Sequence, residues 1–292
     1  MMKKLAIFIF GLLIALAGCQ ESNVTPTSGT TIVEVDSAIA PIISKERNAF
    51  DSLYVKAKVE LKIVSPVNGM VDLLNKKVKV FISPRYFNKQ ELDFVNKEKL
   101  NVKTFKFCYN AVVVVSSKQN NLTQIRVDEL RDALLGKTSK YEIVIPQSTT
   151  TTYQYLKDNV LEGKTPKGVD IVPTEKDVLS RIQKSNNLIG ITSFNLVQDS
   201  SKIKFIKLGE LNQTADSSKP KSIEVNYFTP HPGFVLKNYY PFRQTVYIFL
   251  SELEMSPASG FTTFLTSYEG QKIALTNNLA PAAVPVKINE FQ

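Results

Sequence analysis

Short apolar runs alternate with helically spaced apolar positions along most of this 292-residue chain. Residues 31–35 are rich in β-branched side chains, as strands are, and the apolar residues between Ile39 and Leu53 then recur at helical spacing. The same succession continues towards the C-terminus. It predicts further strands at 59–64, 78–82, 102–107, 111–116, 142–145, 169–172, 188–192, 203–208 and 245–250, and helices at 88–97, 127–135, from near 153, after 174 and around 261–268.

Capping residues mark the ends of several predicted helices. Asn88 stands at an N-cap position, and Gly136 stands at a C-cap position. Thr174 is followed three residues later by Asp177, which resembles a capping box. Strands that alternate with helices in this way predict an α/β fold with mostly parallel sheets.

The N-terminus has the pattern of a bacterial lipoprotein signal peptide. Two lysines precede an apolar stretch from 5 to 16, which is too short to span a bilayer comfortably. The stretch leads into Ala17-Gly18-Cys19, where small residues admit the signal peptidase and the thiol accepts a diacylglyceryl group. We predict a signal peptide at 1–18 and a lipid-bearing Cys19 that anchors the protein to a membrane. The alternative is an ordinary secretory signal with an incidental cysteine.

The segment that follows predicts a link between lipid and folded protein. Residues 19–30 are mostly polar and contain Pro26 and Gly29, as flexible tethers do. A protein with this N-terminus is expected in the cell envelope, on the extracytoplasmic side of a membrane. No later segment has the roughly 20 consecutive apolar residues that a second membrane span needs.

Composition narrows the choice of partners only slightly. Removal of Lys3 and Lys4 with the signal peptide lowers the net charge from +9 to +7, which suits anionic ligands, anionic lipids or nucleic acid. Basic clusters with interleaved aromatic residues are not found, and an exported protein rarely meets nucleic acid. We therefore expect no nucleic-acid partner.

Cysteine and histidine usage argues against metal or nucleophilic chemistry. Cys108 has no intrachain partner once Cys19 is acylated, so no disulfide is expected. His231, the sole histidine, lies between two prolines, which predicts a turn. One histidine and one free cysteine cannot build a conventional zinc site, and we expect no metal or cofactor.

Two strand-to-helix turns carry the candidate binding chemistry. In open α/β sheets, ligands bind beyond the carboxyl ends of the strands, where helix N-termini present unpaired N–H groups. The first turn is 35–38. The second is 147–152, which supplies five consecutive hydroxyl side chains where a helix needs one cap. Hydroxyls and N–H groups at a helix N-terminus suit an oxyanion. A capping, threonine-rich loop without a ligand is the alternative.

Several motifs, taken in order, resemble one protein family. Tyr240-Pro241-Phe242-Arg243, continuing to Tyr247, resembles the return strand of the phosphate-type substrate-binding proteins of ABC transporters, within the two-lobed periplasmic binding-protein superfamily. Further segments resemble this family at 110–115, 130–137, 187–191, 260–273 and 279–281. The resemblance covers the chain from about Thr31 to Ile288.

The resemblance implies a two-lobed α/β fold, each lobe a mixed, mostly parallel sheet flanked by helices, with a hinge between them. The chain is expected to cross between lobes near 112 and 238. Residues 31–112 plus 238–292 would then form the first lobe and 113–237 the second. The family holds its anion between the lobes and has no catalytic groups. By position, the expected ligand-binding residues are Asp36, Ser37, Arg85, Asn110, Ser148, Thr149, Thr150, Thr151 and Thr152.

This chain departs from the family pattern at three places. Ala38 replaces a hydroxyl residue, Asn110 replaces an aspartate, and Gln154 stands where close relatives carry an arginine that can pair bidentately with an anion. The function implied is capture of an oxyanion, foremost phosphate, by a monomer that delivers it to an ABC permease. A sensor or accessory lipoprotein with a different small ligand is the alternative, and an enzyme is the least favoured interpretation.

Overall fold

One long strand organises the main sheet, because its two halves pair with different neighbouring strands. The computed structural model describes residues 24–197, 201–212, 224–252 and 254–283. Their strands are β1 Ser28–Asp36, β2 Lys56–Val64, β3 Val80–Ser83, β4 Lys103–Ser117, β5 Gln124–Arg126, β6 Glu142–Pro146, β7 Asp170–Val172, β8 Leu188–Ser193, β9 Ile203–Phe205, β10 Lys207–Asn212, β11 Glu224–Phe228, β12 Arg243–Leu250 and β13 Ala280–Pro281. The main sheet runs in the order β2-β1-β3-β12-β4-β8-β6-β7, with β13 and β9 also paired to β4, and a small sheet runs β11-β10-β5.

The helices pack on both halves of the sheet. Asn88 and Thr174 begin helices with complete capping boxes, as predicted. His231 caps a short helix by accepting a hydrogen bond from the Gly233 N–H, 3.2 Å away, in keeping with its predicted place at a turn. The helices are α1 Ala40–Leu53, α2 Pro66–Leu74, α3 Lys89–Lys97, α4 Val127–Leu134, α5 Thr151–Tyr155, α6 Glu175–Lys184, α7 Pro232–Leu236, α8 Pro257–Thr266 and α9 Tyr268–Thr276.

Strand β4 belongs to both lobes. Its first part pairs with β12, up to Ala111 opposite Arg243, and its second part pairs with β8 from Val112 onwards. The chain returns beside this point: the Val112 N–H donates to the Phe242 carbonyl (2.9 Å), and the Tyr240 hydroxyl donates to the Val112 carbonyl (3.1 Å). The two-lobed α/β architecture is confirmed, while the exact lobe boundaries stay predictions.

Each lobe has its own core. In the first lobe β1 packs with both α1 and α8, so that residues from distant parts of the chain meet. Phe50 contacts Phe261 edge-to-face with ring centroids 5.3 Å apart, and both rings are fully buried. In the second lobe the apolar half of β4 is covered by α6, whose Val178 and Ile182 are fully buried.

Three details differ from the predicted elements. The first strand begins at Ser28, inside the predicted tether. The two strands predicted between 102 and 116 form the single strand β4, because Tyr109 and Asn110 continue the pairing with β12. The single strand predicted at 203–208 is two strands in different sheets.

No helix of the described ranges is long and apolar enough to cross a membrane, and the predicted signal peptide and Cys19 lie outside those ranges.

Candidate functional site

Asp36 ends strand β1 and lies at the contact between the lobes. Its carboxylate accepts hydrogen bonds from the Ala38 N–H (3.0 Å) and the Ser83 hydroxyl (2.9 Å), both in the first lobe. A third donor is the hydroxyl of Thr151 in the second lobe. The side chain is fully buried, and burial raises the pKa of Asp36, although these hydrogen bonds oppose the shift. A carboxyl group thus bridges the two lobes.

Three consecutive threonines at the start of α5 have three different partners. Thr150 is the N-cap: its hydroxyl accepts from the Tyr153 N–H at 3.3 Å. The Thr151 hydroxyl donates to Asp36, and the Thr152 hydroxyl donates to Glu175. The capping interpretation therefore holds for Thr150, while Thr151 and Thr152 face carboxylates.

Glu175 adds a second buried carboxyl beside the first. It is the first residue of α6, is 3% exposed, and has its Oε2 atom buried without a hydrogen-bond partner in the described part of the chain. Burial, together with the negative charge of Asp36, raises the pKa of Glu175 to about 7. Its charge therefore changes within the physiological pH range.

Two cavities open along the cleft. The larger, about 650 Å³, is lined in part by Arg85, Ser148, Thr151, Arg243 and Gln244. The smaller, about 330 Å³, is lined in part by Ser37, Ser65, Thr149, Thr150 and Glu175. The structure therefore divides Ser37, Ser148, Thr149, Thr150 and Thr151 between two neighbouring cavities, whereas Thr152 lines neither of them.

Arg85 lies at the larger cavity with its charge already paired. Its guanidinium group binds both carboxylate oxygens of Glu91 at 2.7 and 2.8 Å and donates to the Pro66 carbonyl at 2.9 Å. This pairing reduces the charge that Arg85 can offer a ligand. Whether it binds a ligand stays a prediction.

Asn110 lies at the centre of β4, where the lobes join. Its amide nitrogen donates to the Ser193 hydroxyl at 2.9 Å, and the same hydroxyl donates to the Ala38 carbonyl of the first lobe at 2.8 Å. The Oδ1 atom of Asn110 and the Nε2 atom of Gln244 are buried without hydrogen-bond partners among the described residues. Gln244 also lines the larger cavity.

Three residues of this site, Ser83, Glu175 and Ser193, were not among the predicted ligand-binding residues. Ser83 and Ser193 are the last residues of β3 and β8, and Glu175 begins the helix that follows β7. The rule that ligands bind beyond the carboxyl ends of strands applies to each of them. The strands around Glu175 are too short to give a clear pattern in the sequence. A single serine at a strand end does not indicate a site by itself either.

The assembled groups suit binding of a small polar molecule. Hydroxyls and helix N–H groups supply donors, and Asp36 and Glu175 supply acceptors. In residues 24–197, 201–212, 224–252 and 254–283, no three His, Cys, Asp or Glu side chains come together as a metal site.

Comparisons with known proteins agree with this architecture. The chain is 24% identical to the phosphate-binding protein PstS of Borreliella burgdorferi over 291 residues, covering 93% of this chain and 96% of the relative. A Clostridium perfringens protein described as a phosphate ABC-transporter substrate-binding protein, solved with bound phosphate, superposes with a TM-score of 0.71 at 17% identity, covering 87% of this chain and all of that one. An ABC-type phosphate transport receptor from Vibrio cholerae superposes with a TM-score of 0.63 at 14% identity, with the same coverage.

The predicted resemblance is thus confirmed at the level of family and fold. The model of the PBP superfamily domain matches residues 20–269, which is most of the chain. The chain belongs to the PBP superfamily, the periplasmic binding proteins.

Proposed function

We propose that this chain is a non-enzymatic solute-binding protein that captures an oxyanion, foremost phosphate, between its two lobes for an ABC importer. The observation that carries the proposal is the meeting of Asp36 with the threonine tract across the cleft. The start of α5 supplies hydroxyl and N–H donors, which suit an anion. The PstS relative and the two phosphate-receptor folds support phosphate as the ligand.

The buried carboxyl group of Asp36 favours an oxyanion that carries a proton. A protonated phosphate can donate a hydrogen bond to Asp36, whereas sulfate at neutral pH has no proton to donate. We therefore expect phosphate to bind more tightly than sulfate.

One observation favours a different small ligand on the same scaffold. Thr151 and Thr152 already donate to carboxylates, and Gln154 replaces the arginine of close relatives. An accessory or sensor lipoprotein would then use the larger cavity for another polar molecule.

Calorimetry of the chain without its signal peptide tests the proposal. Phosphate should release heat with one-to-one stoichiometry, and sulfate should give a weaker signal. If neither anion binds, the oxyanion function is wrong and the alternative ligand class gains support.

The proposed protein is a monomer anchored through Cys19 to the extracytoplasmic face of a membrane, with lobes at 31–112 plus 238–292 and at 113–237. Cys19→Ser should abolish incorporation of a fatty-acid analogue in cells and leave an uncleaved precursor, because the thiol is the acyl acceptor. Cys108→Ser is the matched control and should label normally. Equal labelling of Cys19→Ser and the original chain would refute the anchor.

A further inference from the structure

The end of the first lobe opposite the cleft carries an exposed apolar patch. Strand β1 runs from Ser28 to Asp36 at the cleft, a distance of about 26 Å for eight steps of extended chain. Beside its first residue, the exposed fractions of Leu53, Val55 and Met255 are 61%, 84% and 75%. Leu53 and Met255 also line a 500 Å³ groove with Pro26 and Thr27. The patch therefore surrounds the start of the described chain.

The chain is fixed where it leaves this patch. Thr25 and Ser28 exchange backbone hydrogen bonds of 3.0 and 3.2 Å. Gly260 of α8 packs against the segment so closely that a Cβ atom would lie 1.9 Å from the Pro26 carbonyl oxygen. The five Cα-to-Cα steps from Cys19 to Val24 can extend at most about 18 Å. A lipid on Cys19 would thus hold this end of the molecule close to the membrane.

The loops at the same end are rich in lysine. Strands β1, β2, β3 and β4 run parallel, so all four begin at this edge of the sheet. The segments 54–56, 75–79 and 97–103, which lead into β2, β3 and β4, and the segment 251–256 after β12 contain seven lysines and three glutamates. Lys77 and Lys79 pair with Asp72 and Glu252, and the other five lysines are exposed. Exposed lysines around an apolar patch attract an anionic lipid surface.

We propose that, in molecules that are not docked on a permease, this end of the first lobe is a membrane-contact surface for anionic lipid, which directs the cleft away from the bilayer. The proposal rests on the lipid anchor at Cys19. Leu53, Val55 and Met255 insert at the headgroup level, and Lys56, Lys76 and Lys99 meet lipid phosphates. The ligand site then faces away from the membrane and lies above it by at least the length of β1.

Fluorescence quenching tests the orientation directly, because the chain contains no tryptophan. The lipidated chain carrying Leu53→Trp is reconstituted into phosphatidylglycerol vesicles with brominated acyl chains. Gln90→Trp, an exposed position at the cleft end of the lobe, is the matched control. We expect about a twofold loss of fluorescence for Leu53→Trp, as insertion by ~5–10 Å would give, and little loss for Gln90→Trp. Equal quenching at both positions would overturn the proposal.

Charge reversal tests the role of the lysines. In the Leu53→Trp background, Lys76→Glu with Lys99→Glu should reduce quenching on phosphatidylglycerol, whereas Lys164→Glu with Lys184→Glu, on the second lobe, should not. Unchanged quenching in the first pair would exclude anionic lipid as the partner.

Mass spectrometry of the N-terminal peptide separates this proposal from the anchor. If Cys19 carries no lipid, the anchor proposal fails, and the same quenching is measured with Cys19 coupled to a maleimide lipid. Cys108 does not interfere, because it is fully buried and burial raises the pKa of its thiol. Absence of quenching in that arrangement would overturn the contact surface itself.

Discussion

Glu46 lies buried in the core of the first lobe. The side chain is fully buried, and both carboxylate oxygens have no hydrogen-bond partner among the described residues. Burial raises the pKa of Glu46 from 4.5 to about 9, so the folded protein holds it protonated at neutral pH. The stability that the protonated Glu46 carboxyl contributes is fully present below pH 4.5 and is lost as the pH rises towards 9.

Glu46→Gln should therefore stabilise the protein at alkaline pH. A neutral amide of the same shape avoids the cost of protonating a carboxylate on folding, and that cost is small at pH 5 and large at pH 8. We expect a higher melting temperature at pH 8, by roughly 2–4 °C for each kcal/mol recovered, and little change at pH 5. The exposed Glu98→Gln is the control. An equal effect at both pH values would show that ionisation of Glu46 is not the cause.

Glu175 should make anion binding depend on pH. Above pH 7 its carboxylate is charged and repels an anion in the cleft, whereas below pH 7 it is protonated. Glu175→Gln should bind phosphate about fivefold more tightly than the original chain at pH 8.5, as ~1 kcal/mol of repulsion predicts, and equally at pH 5.5. Comparing the two proteins at each pH cancels the titration of phosphate, and Glu142→Gln is the exposed control. A ratio that does not change with pH would refute this role.

At the scale of the elements, the threonine tract combines a structural and a binding role. Thr150→Val removes the cap of α5 and should cost about 1 kcal/mol of stability with phosphate affinity unchanged. Thr151→Val removes the hydroxyl that faces Asp36 and should lower phosphate affinity by ~1–3 kcal/mol, about five- to hundredfold. Melting temperature and calorimetry on both variants separate the two roles. If both variants lose stability but neither loses phosphate affinity, the ligand lies elsewhere.

Most elements could be predicted from the sequence because their signals are local. A run of β-branched residues predicts β1, and the capping residues Asn88 and Thr174 mark α3 and α6. The continuity of β4 could not be predicted, because Tyr109 and Asn110 interrupt the apolar pattern while their pairing partner lies more than 130 residues away. Short elements such as β5, β11 and α7 contain too few residues to show a period.

The sequence indicated that the turn at 147–152 would lie in the cleft, but it did not indicate the contacts of that turn. The turn at 147–152 was recognised from its hydroxyl side chains, and it lies in the cleft. That Thr151 binds Asp36 and Thr152 binds Glu175 depends on how the lobes meet, which no local pattern encodes. The ion pair between Arg85 and Glu91 joins residues that are only six positions apart, so their spacing could have indicated it.

At the scale of the whole molecule, direct hydrogen bonds between the lobes favour the closed arrangement. Thr151 binds Asp36, and the Ser193 hydroxyl binds the Ala38 carbonyl at 2.8 Å. A further bond joins the Ile42 N–H to the Asn195 side chain at 3.2 Å. Each such bond contributes about 0.5–1.5 kcal/mol net. A ligand can compact the protein only to the extent that open molecules are populated.

Removing two of these bonds should therefore open the protein in solution. Thr151→Val with Ser193→Ala loses ~1–3 kcal/mol of closure, which shifts an open–closed equilibrium by about five- to hundredfold. We expect small-angle scattering to give a larger radius of gyration for the double variant than for the original chain, both without phosphate. Thr150→Val with Ser180→Ala, which touches no contact between the lobes, should scatter like the original chain. Identical radii for all three proteins would mean that packing at the hinge, and not these hydrogen bonds, sets the distance between the lobes.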